Sequence, residues 1–148
     1  MKAVYIEEQG GPEVLRYGDF EEPSIGPNEV KVKIRAVSIN RLDIYARAGD
    51  RGMKRDFPPS LILGGDSSGD VSELGDNVNG LSIGQRVIIN PKISCDACEP
   101  CFAGAQDLCR KSQFLGTSTN GSYAEYVAVP AVNVHPIPDS ISYEEAAA

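Results

Sequence analysis

The strongest pattern in the chain is the alternation of apolar and charged side chains from Glu29 to Val37, Glu-Val-Lys-Val-Lys-Ile-Arg-Ala-Val. A period of two sets Val30, Val32, Ile34 and Ala36 on one face and the charges on the other, which predicts a half-buried β-strand. Ahead of it, residues 2–7 and 14–20 read as short paired strands linked by Gln9-Gly10-Gly11-Pro12, a turn-rich joint. From Asn40 to Ala48 the period changes. Leu42, Ile44, Tyr45 and Ala48 fall on overlapping helical faces, and Gly49 is placed to end one short helix. Pro58-Pro59 breaks the chain before Leu61-Ile62-Leu63-Gly64-Gly65-Asp66. Gly69-Asp70-Val71 then leads towards Gln85-Arg86-Val87-Ile88-Ile89, giving two core strands with a glycine-rich bend between them. Alternation resumes over residues 121–129, and Asn133-Val134-His135 predicts a last short strand before Pro136 and Pro138. Ser142 and Glu145 form an S-x-x-E capping box that opens a helix through Ala146-Ala147-Ala148. A helix needs about 12–15 residues to be even marginal alone, so the sequence is expected to be part of a longer polypeptide.

Fifteen glycines and ten prolines in 148 residues require many turns, which fits a mostly β architecture better than a bundle. Hydrophobic residues at 41% and charged residues at 24% describe an ordinary globular domain with one sizeable core. The formal net charge of -7 argues against nucleic-acid or anionic-membrane partners, either of which would call for clustered Lys and Arg. No signal-peptide core and no apolar run of about 20 residues occurs, so a cytoplasmic location without a membrane partner is expected.

All four cysteines fall within fifteen residues, as C-x2-C-x2-C-x7-C at Cys95, Cys98, Cys101 and Cys109. They sit in a lobe over residues 92–112 with little periodicity of its own. In a reducing compartment such clustering favours metal over disulfide. Four thiolates satisfy tetrahedral Zn2+ at about 2.3 Å each, and a closed all-cysteine set leaves no position for substrate. The expected cofactor is therefore a structural zinc, whose binding energy acts as local folding energy. A [4Fe–4S] centre favours C-x2-C-x2-C-x3-C-P, whereas here seven residues precede Cys109 and Arg110 follows it. Two disulfides are the other reading, and sequence does not choose among their three connectivities.

Met1-Lys2-Ala3-Val4, Leu63-Gly64-Gly65-Asp66-Ser67-Ser68-Gly69, Leu74-Gly75-Asp76-Asn77-Val78, Gly84-Gln85-Arg86-Val87, the cysteine lobe with Leu108-Cys109-Arg110, and Gly121-Ser122-Tyr123-Ala124-Glu125-Tyr126 come in a specific order and spacing. By these stretches nearly the whole chain resembles the N-terminal GroES-like domain of the medium-chain dehydrogenase/reductase superfamily. The resemblance implies a mostly β, GroES-like β-barrel with a few short helices and a zinc-stapled loop lobe. It also implies that residues 1–148 form the catalytic, substrate-side domain of a homo-oligomeric enzyme. An NAD(P)-binding Rossmann domain is expected beyond residue 148, since no G-x-G-x-x-G follows a strand here.

Zinc alcohol dehydrogenases of this superfamily place a catalytic-metal Cys and a His-Glu pair where this chain reads Asn40 and Gly65-Asp66. Gly65 has no side chain to ligate anything, and Asn40 is a poor replacement for a thiolate. The one histidine, His135, reads as a bland strand-end residue. Residues 39–49 instead resemble the zinc-free quinone oxidoreductases, which share an Asn, an Asp and a Tyr at this spacing. The resemblance implies NAD(P)H-dependent reduction of a small-molecule carbonyl or quinone, with Asn40, Tyr45 and Asp66 as catalytic candidates. Asn40 and Arg41 are the candidates for touching cofactor. Asp43 reads equally as a brace for the short helix, Asp66 as a turn residue, and Tyr45 as core packing with its hydroxyl at the rim. Gly64, Gly65 and Gly69 are expected to permit a tight bend and close backbone approach. Two rival readings are a zinc alcohol dehydrogenase using Asp43, Asp66 and a further ligand, and a non-catalytic barrel like a co-chaperonin.

Overall fold

The computed structural model describes residues 1–57 and 59–148; Pro58, half of the expected Pro58-Pro59 break, lies outside the described residues. The chain opens with β1 (Lys2–Ile6), a 3-10 turn at Pro12–Val14, and β2 (Arg16–Asp19). The second strand therefore starts two residues later than its apolar pattern predicts, because Pro12 at the first position of the turn fixes a helical φ. The alternating segment forms β3 (Glu29–Val37), followed by α1 (Arg41–Ala48), β4 (Leu61–Ile62), β5 (Ser67–Leu74) and β6 (Arg86–Ile89). Through the cysteine lobe run β7 (Lys92–Ile93), α2 (Glu99–Phe102) and β8 (Gln113–Phe114). The chain then forms β9 (Tyr126–Pro130), β10 (Val134–Pro136) and α3 (Tyr143–Ala147).

β3 lies between β5 and the edge strand β9 in an antiparallel five-stranded sheet of order β10-β6-β5-β3-β9. Its pairing with β5 shifts register between Lys31 and Val32 and between Ile34 and Ala36, a bulged geometry that bends the sheet. Val30 and Val32 are fully buried and pack with Val71, Val87, Ile89, Val127 and Val129 into the main core. Burying each such side chain contributes roughly 1.5–3 kcal/mol. Gly69 of β5 pairs with Ile34 of β3, and a Cβ there would strike the Lys33 carbonyl. A smaller sheet of order β2-β1-β4 packs Ile6 and Leu61 with Val14, Ala46 and Leu63 in a second cluster beneath α1.

Residues 121–125 do not enter the strand that their alternation predicts; β9 begins only at Tyr126. They seam the two sheets instead. The Gly121 amide donates to the Ile62 carbonyl, Tyr123 donates to Leu63, Val4 to Tyr123 and Ile34 to Glu125, at 2.7 to 2.9 Å. Their hydrogen bonds are shared between two partners, so neither sheet claims them, and the wrap becomes a mostly β, GroES-like barrel.

α3 docks on β5, β3 and β6 through a polar clamp. Ser142 and Glu145 make the expected capping box, the Tyr143 hydroxyl donates to Asp70, and Arg86 lies over the Tyr143 ring at 4.6 Å while donating to the Ile141 carbonyl. Burial alone would raise the Asp70 carboxyl, but the bonds from Tyr143 and Arg35 outweigh it and hold that group below its ordinary value.

Gly69→Ala should destabilise the barrel by about 2 kcal/mol through overpacking against the β3 backbone, read as a lower urea midpoint with an unchanged m-value.

Candidate active site and metal centre

Helix α1 begins at Asn40, whose side chain accepts from the Leu42 amide at 3.0 Å while the Asp43 carboxylate reaches back to the Asn40 amide at 2.8 Å. This reciprocal cap satisfies two of the donors that every helix start leaves orphaned. Asp43 therefore does brace the helix, and it does more. It is only 5% exposed, and its carboxylate also accepts from the Tyr123 hydroxyl at 2.8 Å. Burial, then the Asp43 carboxylate, push the Tyr123 phenol well above its ordinary value.

The other end of the Asn40 amide donates to Asp66 at 2.8 Å, so the two residues are brought together. Asp66 also accepts the Ser38 amide through its carbonyl, which pins the end of β3 to the start of β5. Asp66 borders a cavity of about 200 Å3 that is also lined by Ser67, Asn90, His135, Ala146 and Ala147. That volume lies below the roughly 300–1,000 Å3 typical of small-molecule sites. His135 is at the strand end as expected, yet it faces the same cavity as Asp66.

Tyr45 does not line that cavity; its ring lies under the Arg51 guanidinium at 5.0 Å. Arg41 is exposed at the first position of α1. Gly64 adopts a φ of +96°, and a side chain there would run into the Tyr123 ring. Gly65 carries no such backbone requirement. A Cβ at Gly65 would press on the Phe114 ring at 3.2 Å and touch Pro91 at 3.5 Å, so a side chain there would be close-packed from its first carbon.

Two site residues escaped the sequence reading. Tyr123 belongs to a strand-like run, and its link to Asp43 crosses 80 positions. Ser67 is 1% exposed with no partner for its hydroxyl, and it borders the cavity. A serine beginning a buried strand was the available signal.

In the lobe, the four sulfurs lie within 4.8 Å of one another, with Cys98–Cys101 at 3.4 Å and Cys98–Cys109 at 3.9 Å. Those spacings exceed a disulfide bond, and all four cysteines are free. Four sulfurs each about 2.3 Å from one ion stand roughly 3.8 Å apart, so the set fits a structural zinc. Backbone amides of Cys101 and Arg110 pull the Cys98 thiol down to about 6, and the Cys95 amide lowers Cys109. Burial, reinforced by the neighbouring sulfurs, pushes Cys101 up to about 12. Backbone donors thus favour thiolates that cannot all form without a cation among them. Among the described residues these cysteines are the one group of three or more His, Cys, Asp or Glu side chains spaced to share an ion.

The family model described as the alcohol dehydrogenase GroES-like domain matches residues 26–139. The chain belongs to this family. Among relatives of this GroES-like domain, the L-threonine 3-dehydrogenase of Pseudoalteromonas atlantica is 36% identical over 129 residues, covering 87% of this chain and 38% of that protein. The enzyme of the same name from Xanthomonas axonopodis pv. citri is 40% identical over 125 residues, 84% of this chain and 37% of its own. The GroES-like chain thus spans under two fifths of the length of these curated relatives. A solved NAD-dependent alcohol dehydrogenase superposes with a TM-score of 0.94 at 44% identity, over 99% of this chain and 42% of the other. A cobalt- and zinc-bound thermostable alcohol dehydrogenase from Pyrobaculum aerophilum gives 0.87 at 32% identity, over 99% and 44%.

Removing the hydroxyl in Tyr123→Phe should cost about 2 kcal/mol by leaving the buried Asp43 carboxylate one donor short. Because the Tyr123 pKa is raised on folding, its contribution is complete below the ordinary tyrosine value of 10.0 and is lost as pH rises beyond it. Unfolding titrations above that pH should show a decline in stability that is shallower in Tyr123→Phe.

Proposed function

We propose that this chain is the substrate-side domain of an NAD(P)H-dependent oxidoreductase that holds a structural zinc in its cysteine lobe and reduces quinones, enones or related carbonyls without a catalytic zinc. The observation that carries the reading is the Asn40–Asp66 clamp beside Gly65: where metal ligands would stand, one position is spent on capping a helix and another has no side chain. The resemblance of residues 39–49 to quinone oxidoreductases supports it. The remainder of the protein, by family likeness, is a Rossmann domain that carries the nicotinamide.

Bound nicotinamide supplies the hydride. What this chain contributes is a set of oriented donors. Asn40 has one amide hydrogen on Asp66 and a second unused, and it is held in place by its own cap. The Ser67 hydroxyl is buried at the cavity without a partner, ready to donate or to hold a water. Reducing a conjugated carbonyl spreads negative charge over several atoms, so preorganised neutral donors suffice to stabilise it. A simple ketone would concentrate that charge on one oxygen and favour a Lewis acid. Tyr45 is half-buried beneath the Arg51 guanidinium, and Arg41 at the helix start suits a cofactor phosphate.

A second reading, zinc-dependent oxidation of an alcohol or of threonine, draws on the names of the relatives and on His135 and Asp66 bordering one cavity. It requires additional ligands to join those two. No helix among the described residues is long and apolar enough to cross a membrane, which accords with a small-molecule substrate met in water.

The intact gene product should contain one zinc per chain and consume NAD(P)H with a quinone or an enone. Asn40→Ala should lower kcat on the order of a hundredfold through loss of a preorganised donor. Two zinc ions per chain together with oxidation of threonine or a secondary alcohol would replace this reading with the second. Zinc should be released as pH falls, since protons compete for the four sulfurs, and the lobe should then become sensitive to proteolysis.

A further inference from the structure

Five of the fourteen lysines and arginines fall between residues 41 and 55: Arg41, Arg47, Arg51, Lys54 and Arg55. None takes part in the ion pairs formed among the described residues, although Asp and Glu outnumber Lys and Arg by 21 to 14. Arg55 is turned into the protein, bonding the carbonyls of Thr117 and Pro59 and lying over Phe57, and the Nε of Arg47 is buried. Arg51 is different. It is exposed, and its guanidinium sits over the Tyr45 ring, four positions along α1 from Arg41. Residues four apart share a helix face, so two unneutralised cations flank one phenol.

The loop that carries Arg51 is anchored. The Gln9 amide donates to the carbonyls of Ala46 and Met53 at 2.8 and 2.7 Å and accepts from the Arg55 amide at 3.1 Å. Within it Arg51 takes a left-handed φ of +51°, a conformation bulky L-residues seldom adopt, and Gly52 follows at +82°. The neighbouring carboxylate of Asp50 forms no ion pair with it, and neither the Arg51 guanidinium nor the Tyr45 hydroxyl has a hydrogen-bond partner among the described residues. A guanidinium over a ring keeps its N–H edge available for a planar oxyanion.

We propose that Arg51 and Tyr45 form an anion subsite on the helix that starts at Asn40, and that the substrate is a conjugated carbonyl compound bearing a carboxylate or phosphate. The reaction assigned to that substrate rests on the function proposed above; the subsite itself does not.

The test compares β-acetylacrylate with its methyl ester as substrates of the intact protein. The acid should be preferred in kcat/KM, added salt should erode the preference, and Arg51→Met should reduce it on the order of tenfold, with Arg51→Lys retaining part. An unchanged melting temperature in Arg51→Met would show that the variant is folded. Equal use of acid and ester by the wild type, or an unaltered preference in Arg51→Met, overturns the subsite. Competitive inhibition by acetate or by inorganic phosphate, weakened in Arg51→Met, identifies which oxyanion is held; inhibition by neither also overturns it. Should the protein reduce neither compound and oxidise threonine instead, the proposed reaction fails separately. The same comparison between threonine and its methyl ester then decides the subsite by the same criteria.

Discussion

A carboxylate withdrawn from water is tolerable only where donors replace its hydration, and in this barrel that condition is met at Asp43. Its two donors come from different levels of the structure. One is the amide of Asn40, three residues back, and the other is the hydroxyl of Tyr123, on the seam between the two sheets. A single buried charge therefore sets the start of α1 and fixes that start to the barrel wall. Tyr123 in turn lies against Gly64, two residues before Asp66, and Asp66 holds Asn40. The constraint closes on itself through five residues, and the amide nitrogen of Asn40 points where that ring allows.

The cysteine lobe solves a different problem by different means. Residues 95–109 offer little to bury: Phe102 and Leu108 are exposed, and its regular structure amounts to one turn of helix and one 3-10 turn. Backbone amides directed at Cys98 and Cys109 prepare thiolates that only a cation can hold side by side. Order in the lobe comes from a closed set of ligands, while order at Asn40 comes from hydrogen bonds that leave one donor unspent. The first arrangement leaves no position open, and the second does.

Much of this was legible in the sequence. β3 and α1 were found with their boundaries because period two over nine residues and a helical stripe ending in glycine are long enough to be unambiguous. The four metal-binding candidates were found because cysteines cluster for few reasons. Strands of two residues, such as β7 and β8, are shorter than any period and exist only through pairing with each other. Residues 121–125 alternate like a strand, yet their hydrogen bonds divide between partners, which no local pattern records. Asn40 is a site candidate through the resemblance of residues 39–49 to quinone oxidoreductases, whereas its duty as helix cap, latent in Asn-x-x-Asp, shows in the structure.

That double duty explains why the residue is asparagine. The Leu42 amide needs an acceptor and the Asp66 carboxylate needs a donor, so the amide group of Asn40 has only one orientation that serves both. Aspartate or serine would cap α1 equally well. Aspartate would then set two carboxylates against each other, and serine would place one short hydroxyl between two calls it cannot both reach. With oxygen committed to the helix, the nitrogen keeps one hydrogen for Asp66 and one for whatever enters the site. Helix stability and the aim of the donor are thus a single property of this side chain, and the geometry of the candidate site follows from the same bonds that begin the helix.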